Sequence, residues 1–171
     1  MRNFSDVPKV ALALLALALP AVAQKPTIQL SPFTSFFVPA ADACGFGVLF
    51  TPEPGRPNGE RLIQFVNAAS ANAAIIAGPL FVTLTNVSSG KTVNVNISGP
   101  VLIGVSSTSG RTDVSFGPGI PGALPANVAA AAGLPLLPLF YGRAVFTIDS
   151  QSNLTAISFT GKVQDVCQLL E

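Results

Sequence analysis

The residues able to do chemistry are few, and the missing ones narrow the choice most. The 171 residues include no histidine, two cysteines, and nine Lys plus Arg against eight Asp plus Glu. Without histidine the usual general base and the commonest metal ligand are gone, which excludes Ser-His-Asp and Cys-His constellations. Two sulfurs alone do not make a zinc site, so neither a metal nor a cofactor is expected. What remains for acid/base work is a set of carboxylates: Asp42, Glu53, Glu60, Asp113, Asp149, Asp165 and Glu171. A glycoside hydrolase needs two of these facing a cleft at a defined separation. Asp149 closes a strand before a turn and Asp113 stands two positions after Arg111, so both read more simply as turn and ion-pair residues. No catalytic residue is assigned on this reading. The run GFGVLF at 45–50 lacks the spacing and the following helix of a phosphate-cradling loop.

The cysteines take their meaning from the N-terminus. Arg2 and Lys9 precede a Val/Ala/Leu run at 10–19, Pro20 breaks it, and Ala21-Val22-Ala23 supplies a small-residue cleavage pattern. Residues 1–23 therefore read as a secretory signal peptide, since the run holds about ten apolar residues where a membrane span needs roughly twenty. No later run approaches a span, and residues 24–171 are expected to form a single secreted β domain. In an oxidising compartment Cys44 and Cys167 are most simply one disulfide. The near-neutral balance of charge argues against a nucleic-acid footprint and against a polybasic membrane contact.

The elements that must position these groups are strands. From Pro26 onward, short β-branched and aromatic stretches alternate with Gly, Pro, Asn and Ser. The clearest hairpin joins 80–85 to 92–98, with Val93, Val95 and Ile97 expected inward and Asn94, Asn96 and Ser98 expected at solvent. A second joins 143–149 to 154–160, and weaker strands are expected at 34–38, 47–50, 61–66, 73–76, 101–105 and 112–116. The reading is all-β: a single antiparallel β-sandwich or barrel of about 7–10 strands. TPEPGRPNG at 51–59 reads as an exposed hairpin tip. The Pro/Gly/Ala/Leu-rich segment 117–138 reads as a long loop, with Asn127 capping a helical turn over 128–132 and Gly133 ending it. Its prolines Pro118, Pro121, Pro125, Pro135 and Pro138 argue against a regular ladder. We expect it to cross an open end of the β structure with Leu134, Leu136 and Leu137 against the interior.

Asn86, Asn96 and Asn153 each head an Asn-X-Ser/Thr sequon, the first and last in turns and the middle one on a wet strand face. All three are expected to be accessible glycosylation positions. Twelve phenylalanines stand against one tyrosine and no tryptophan. That balance favours interior packing, by Phe81, Phe146 and Phe159 among others, over a carbohydrate platform, and a Phe-lined interior could also hold an apolar ligand.

The order of landmarks is similar to that of an uncharacterised family of small secreted microbial proteins, fungal and actinobacterial. The matching pieces are Cys44-Gly45-Phe46, Leu84-Thr85-Asn86, Ser89-Gly90-Lys91, Asn96-Ile97-Ser98-Gly99, then Gly161 and Asp165-Val166-Cys167. The long insert at 117–138 departs from the family pattern. The resemblance implies a secreted β-rich domain with one disulfide and brings no catalytic residue with it. Two functions from different classes remain. The favoured one is a secreted binding or interaction module, engaging an unknown surface partner or holding a small apolar ligand. The alternative is a carboxylate-dependent hydrolase acting on polysaccharide.

Overall fold

The computed structural model describes residues 25–65, 72–119 and 123–171. The expected signal peptide at 1–23 lies outside the described residues, as do Val66 of one expected strand and residues 120–122 of the long insert. The protein is mostly β: two antiparallel sheets arranged like a sandwich and not closed into a barrel.

In chain order the strands are β1 (Thr27–Leu30), β2 (Phe36–Val38), β3 (Val48–Pro52), β4 (Arg61–Gln64), β5 (Asn72–Ala77), β6 (Phe81–Asn86), β7 (Thr92–Asn96), β8 (Val101–Gly104), β9 (Arg111–Gly119), β10 (Pro138–Ile148) and β11 (Leu154–Asp165). Helix α1 (Ala126–Ala132) precedes β10, and α2 (Val166–Leu170) ends the chain. The seven-stranded sheet runs β1-β4-β5-β8-β9-β10-β11, and the four-stranded sheet runs β2-β3-β6-β7. The chain thus passes between the sheets repeatedly before committing β8 to β11 to the larger one. TPEPGRPNG is accordingly not a hairpin tip: it carries the chain from β3 in the small sheet to β4 in the large one, and Asn58 bridges Leu80 on the way.

The small sheet holds the densest packing. Along β6 exposure alternates strictly, with Val82, Leu84 and Asn86 buried, as period-2 side-chain placement requires. Val48 and Phe50 of β3 and Val95 of β7 complete that face, with Val93 and Ile97 packed against it. What closes it is the segment Leu137, Leu139, Val166 and Leu170, each with no measurable exposure. The middle hairpin keeps the expected orientation. Asn94 and Asn96 are exposed, while Ser98 is half-buried because its hydroxyl bonds both the N–H (2.7 Å) and the carbonyl (3.3 Å) of Leu80.

The segment 117–138 is less irregular than its prolines imply. Ladders enter it from both ends, Pro118 pairing with Tyr141 and Pro138 with Asp165. Pro138 is tolerated because it is the first residue of its strand. Between them, α1 starts at Ala126, its first turn closed by the Pro125 carbonyl accepting from Val128 and Ala129 (2.9 Å each). Asn127 therefore sits inside the helix and does not cap it, whereas Gly133 ends it in the left-handed conformation (φ 64°) as expected. Leu137 enters the core, but Leu134 and Leu136 are only half-buried.

One feature of the large sheet is absent from the sequence reading. Gly117, Gly142 and Gly161 lie side by side across β9, β10 and β11, all at positive φ (97°, 137° and 115°). A Cβ on Gly142 would sit 2.3 Å from the Thr160 carbonyl oxygen, and one on Gly161 would sit 2.1 Å from that of Tyr141. Only glycine fits such a row. It divides the long hairpin into an inner end, whose Leu139 joins the small-sheet core, and an outer end, where Phe159 is 38% exposed. The expectation of an interior Phe159 is thereby corrected, and Phe81 and Phe146 are half-buried.

Candidate functional site

The residues singled out by chemistry fall into three separate places. The first is the disulfide. Cys44 and Cys167 are bonded with Cα atoms 5.3 Å apart, tying the approach to β3 to α2 across a sequence separation of 123. Asp165 caps α2 by accepting the Cys167 N–H (2.8 Å) and so holds the second cysteine in place. A bond of this kind belongs to an oxidising compartment. Among the described residues no helix is long and apolar enough to cross a membrane.

The second place is the set of sequon asparagines, which the structure treats unequally. Asn86 is buried at 5% exposure. Its Nδ2 donates to the Leu170 carbonyl (3.2 Å), and its Oδ1 accepts from the N–H groups of Ser88 (2.9 Å) and Ser89 (3.2 Å). The expected accessibility of Asn86 is therefore corrected: this amide fastens α2 to the middle hairpin, and a sugar on Nδ2 would displace that bond. Asn153 is exposed but binds Asp149 through both its backbone N–H (2.8 Å) and its Nδ2 (3.1 Å). Asn96 is the most open of them, only its Oδ1 being engaged, by the Ser98 N–H (2.9 Å).

The third place is a pair of adjoining hollows on one face of the large sheet. One, about 230 Å³, is lined chiefly by Phe33, Ile76, Leu80, Ile97 and Val101, with Glu60 and Ser115 as its polar side chains. The next, about 260 Å³, is lined by Val101, Phe146, Ile148 and Leu154 with Asp113. Val101 belongs to both. Strand register explains the grouping: Ile76, Val101 and Ser115 are cross-strand neighbours on β5, β8 and β9, and Asp113 pairs with Phe146. Two larger hollows lie elsewhere, about 360 Å³ beside the 105–110 turn and about 350 Å³ between Phe37 and Pro125. Turn residues dominate the first, and the second lies at the β2 edge against Leu124 and Pro125.

The carboxylates differ in how they are used. Burial raises the Glu60 carboxyl above its usual range, because its ionised form loses water to an apolar lining. Asp113 is buried and committed: it takes both oxygens to Arg111 Nε (3.1 and 3.2 Å) and accepts the Gly104 N–H (3.1 Å). Asp149 is exposed in its turn, and the Asn153 and Gln151 hydrogen bonds lower its pKa, the turn role expected of it. Glu53 accepts from Asn94 (3.3 Å) on the outer face of the small sheet. Asp42 and Glu171 are exposed. Glu60 and Asp113 thus line different hollows, and the Asp113 carboxylate is paired with the Arg111 guanidinium. Among the described residues no three of His, Cys, Asp and Glu come together as metal ligands would.

Sequence reasoning named Glu60 only as one carboxylate among several and did not connect it with Phe33 or Val101. The signal that could have found the hollow is the cross-strand register, which alternation within single strands does not contain. Compared with protein-family models, curated proteins and solved structures, the chain finds no match in any of the three. The chain is a β-rich protein with one disulfide, and its site is defined by its own geometry.

Proposed function

We propose that the protein is a secreted binding module that holds a small apolar ligand in the paired hollows about Val101. The observation that carries this is the continuity of two apolar hollows across one side chain, with a single unneutralised carboxyl, Glu60, set into the lining. A concave, mostly apolar lining with few polar groups is what small-molecule sites share. Glu60 would orient a ligand carrying one hydroxyl or amide, since a carboxyl oxygen set into an apolar lining accepts a hydrogen bond from either. Export rests on the signal-like N-terminus and is supported by the disulfide, as the resemblance to small secreted microbial proteins implies. Asn96 is the sequon best placed to carry a glycan. The hydrolase reading gains nothing from Asp113, whose oxygens face Arg111 and not Glu60.

The test is native mass spectrometry of protein taken from its own secretion, followed by titration with an environment-sensitive apolar dye. We expect a retained small molecule or saturable dye binding that Val101→Trp weakens at least about tenfold, because the indole fills the waist between the hollows. Absence of both, or dye binding untouched by Val101→Trp, would overturn the reading.

A further inference from the structure

The face of the large sheet opposite the hollows carries a second apolar feature. Following the register from the β1 edge, Ile28 pairs with Ile63, Ile63 with Ile75, Ile75 with Leu102, Leu102 with Val114 and Val114 with Val145. These residues form one straight row across the strands. None is buried, Ile28 is 58% exposed, and Leu30 next to it is 75% exposed. None belongs to the core cluster or packs against it. Nor does any line the hollows described above.

Charge is segregated between the two faces in a way that net charge hides. Arg61 lies beside Leu30, Arg143 pairs with Phe116 and Lys162 pairs with Tyr141, all on the face of the apolar row and all exposed. The carboxylates borne by strands of this sheet, Asp113 and Asp165, fall on the other face by the same register, where the one basic strand residue, Arg111, is paired with Asp113. Among the described residues the only ion pair is Arg111 with Asp113, so no described carboxylate neutralises Arg61, Arg143 or Lys162. Phe116 and Tyr141 stand half out of this face, at 36% and 37% exposure.

We propose that this face docks peripherally on a bilayer surface containing anionic phospholipid. An apolar strip flanked by cations fits a membrane interface, where acyl chains meet phosphate and long basic side chains reach the headgroups. Aromatic side chains half in and half out of water suit the same depth. A second copy laid face to face would bring two surfaces of the same positive sign together. A small ligand needs concavity, which this row does not line. The near-neutral sum that argued against a membrane contact is the total of two unlike faces, and the basic one carries the apolar row. The proposal does not rest on the ligand-binding reading, because it uses the opposite side of the sheet.

The wild-type protein supplies its own probe. Tyr141 is the only tyrosine and there is no tryptophan, so intrinsic emission reports this face alone. With vesicles of phosphatidylcholine and about one-third phosphatidylserine, we expect co-sedimentation and quenching of Tyr141 when the acyl chains are brominated. We expect neither with phosphatidylcholine alone. Salt at about 0.5 M should release the protein, and both the combined R61Q/R143Q/K162Q variant and the edge variant I28S/L30S should weaken binding at least about tenfold. No binding, equal binding to neutral vesicles, binding without Tyr141 quenching, or full binding by the glutamine variant would each overturn the proposal. A dimer in sedimentation equilibrium that I28S/L30S abolishes would assign the face to a second copy and overturn it as well.

Discussion

The middle hairpin β6–β7 and the C-terminal hairpin β10–β11 read alike along the chain, yet they occupy opposite conditions in the molecule. Val82 and Leu84 have no measurable exposure, the alternate positions of β6 are half-buried, and those of β7 are exposed. Along β11, by contrast, most positions from Thr155 to Lys162 are exposed, apolar Phe159 and Ala156 included. Alternation fixes which residues share a face, but not whether anything covers that face. In the small sheet the cover is supplied from far along the chain, by Leu137, Leu139, α2 and the disulfide. In the outer half of the large sheet nothing comparable among the described residues is packed on the apolar row, which is why this surface carries the docking proposal.

The most drastic way to break the contrast is to release the cover. Reducing the Cys44–Cys167 bond should lower stability by up to about 5 kcal/mol on the chain-entropy account and the melting temperature by about 10 °C or more. Hydrogen exchange should quicken first in α2 and β6–β7, while the outer end of β10–β11 changes little. Uniform loss of protection across both hairpins would show that they form one cooperative unit, and the contrast would then be one of exposure only.

Paired truncations sharpen the same comparison. Leu84→Ala empties a fully enclosed site and should cost about 3–4 kcal/mol. Phe159→Ala removes a larger side chain that is 38% exposed, and should cost about 1 kcal/mol. Chemical denaturation of the two variants measures the difference. Equal costs would mean that Phe159 is held by more than the Phe140 ring 5.8 Å away.

Much of this was legible from residue order. Each expected strand exists, because β-branched runs bounded by Gly, Pro and Asn leave few other conformations. The disulfide followed from a signal-like N-terminus and a lone cysteine pair. Strand β1 was missed: TIQL is short and fully exposed, with no buried face to impose a pattern. Asn86 was misread because the same Asn-Val-Ser triplet serves as a sequon and as an Asx turn, and only the distant Leu170 carbonyl decides between them. The hollows and the glycine row were invisible for one shared reason. Both are made by register between strands, which no single strand encodes.

The glycine row offers a smaller but more local perturbation. Gly161→Ala would place a methyl group 2.1 Å from the Tyr141 carbonyl oxygen at φ 115°, where an L side chain is strained by about 1–3 kcal/mol. We expect a loss of about 2–3 kcal/mol, larger than that for Phe159→Ala a short way along the same strand. Backbone amide shifts in a nuclear magnetic resonance spectrum should move on both sides of the row, at Leu139 and at Phe159. Shifts confined to the outer end would show that the row does not couple the hairpin to the small-sheet core.

The smallest effect concerns Glu60 and asks whether the hollow is dry enough to count as interior. Burial raises its folded-state pKa, whereas in the unfolded chain it titrates near about 4.3. Below that value the carboxyl is protonated in both states and imposes no penalty. Between the unfolded value and the raised folded value the native state keeps a proton that the unfolded state has released, so the contribution to stability falls as pH rises through that window. Above the folded pKa the penalty is complete. Glu60→Gln keeps the shape and removes the charge, so the variant should match the wild type near pH 4 and exceed it slightly at neutral pH. Denaturant unfolding of both proteins over about pH 3–8 reads this directly. An apolar ligand seated against Phe33 and Val101 would exclude more water from the carboxyl and move the window upward. If the two curves instead run parallel at every pH, the Glu60 carboxyl is fully solvated, and the hollow belongs with the open surface of the large sheet and not with a binding site.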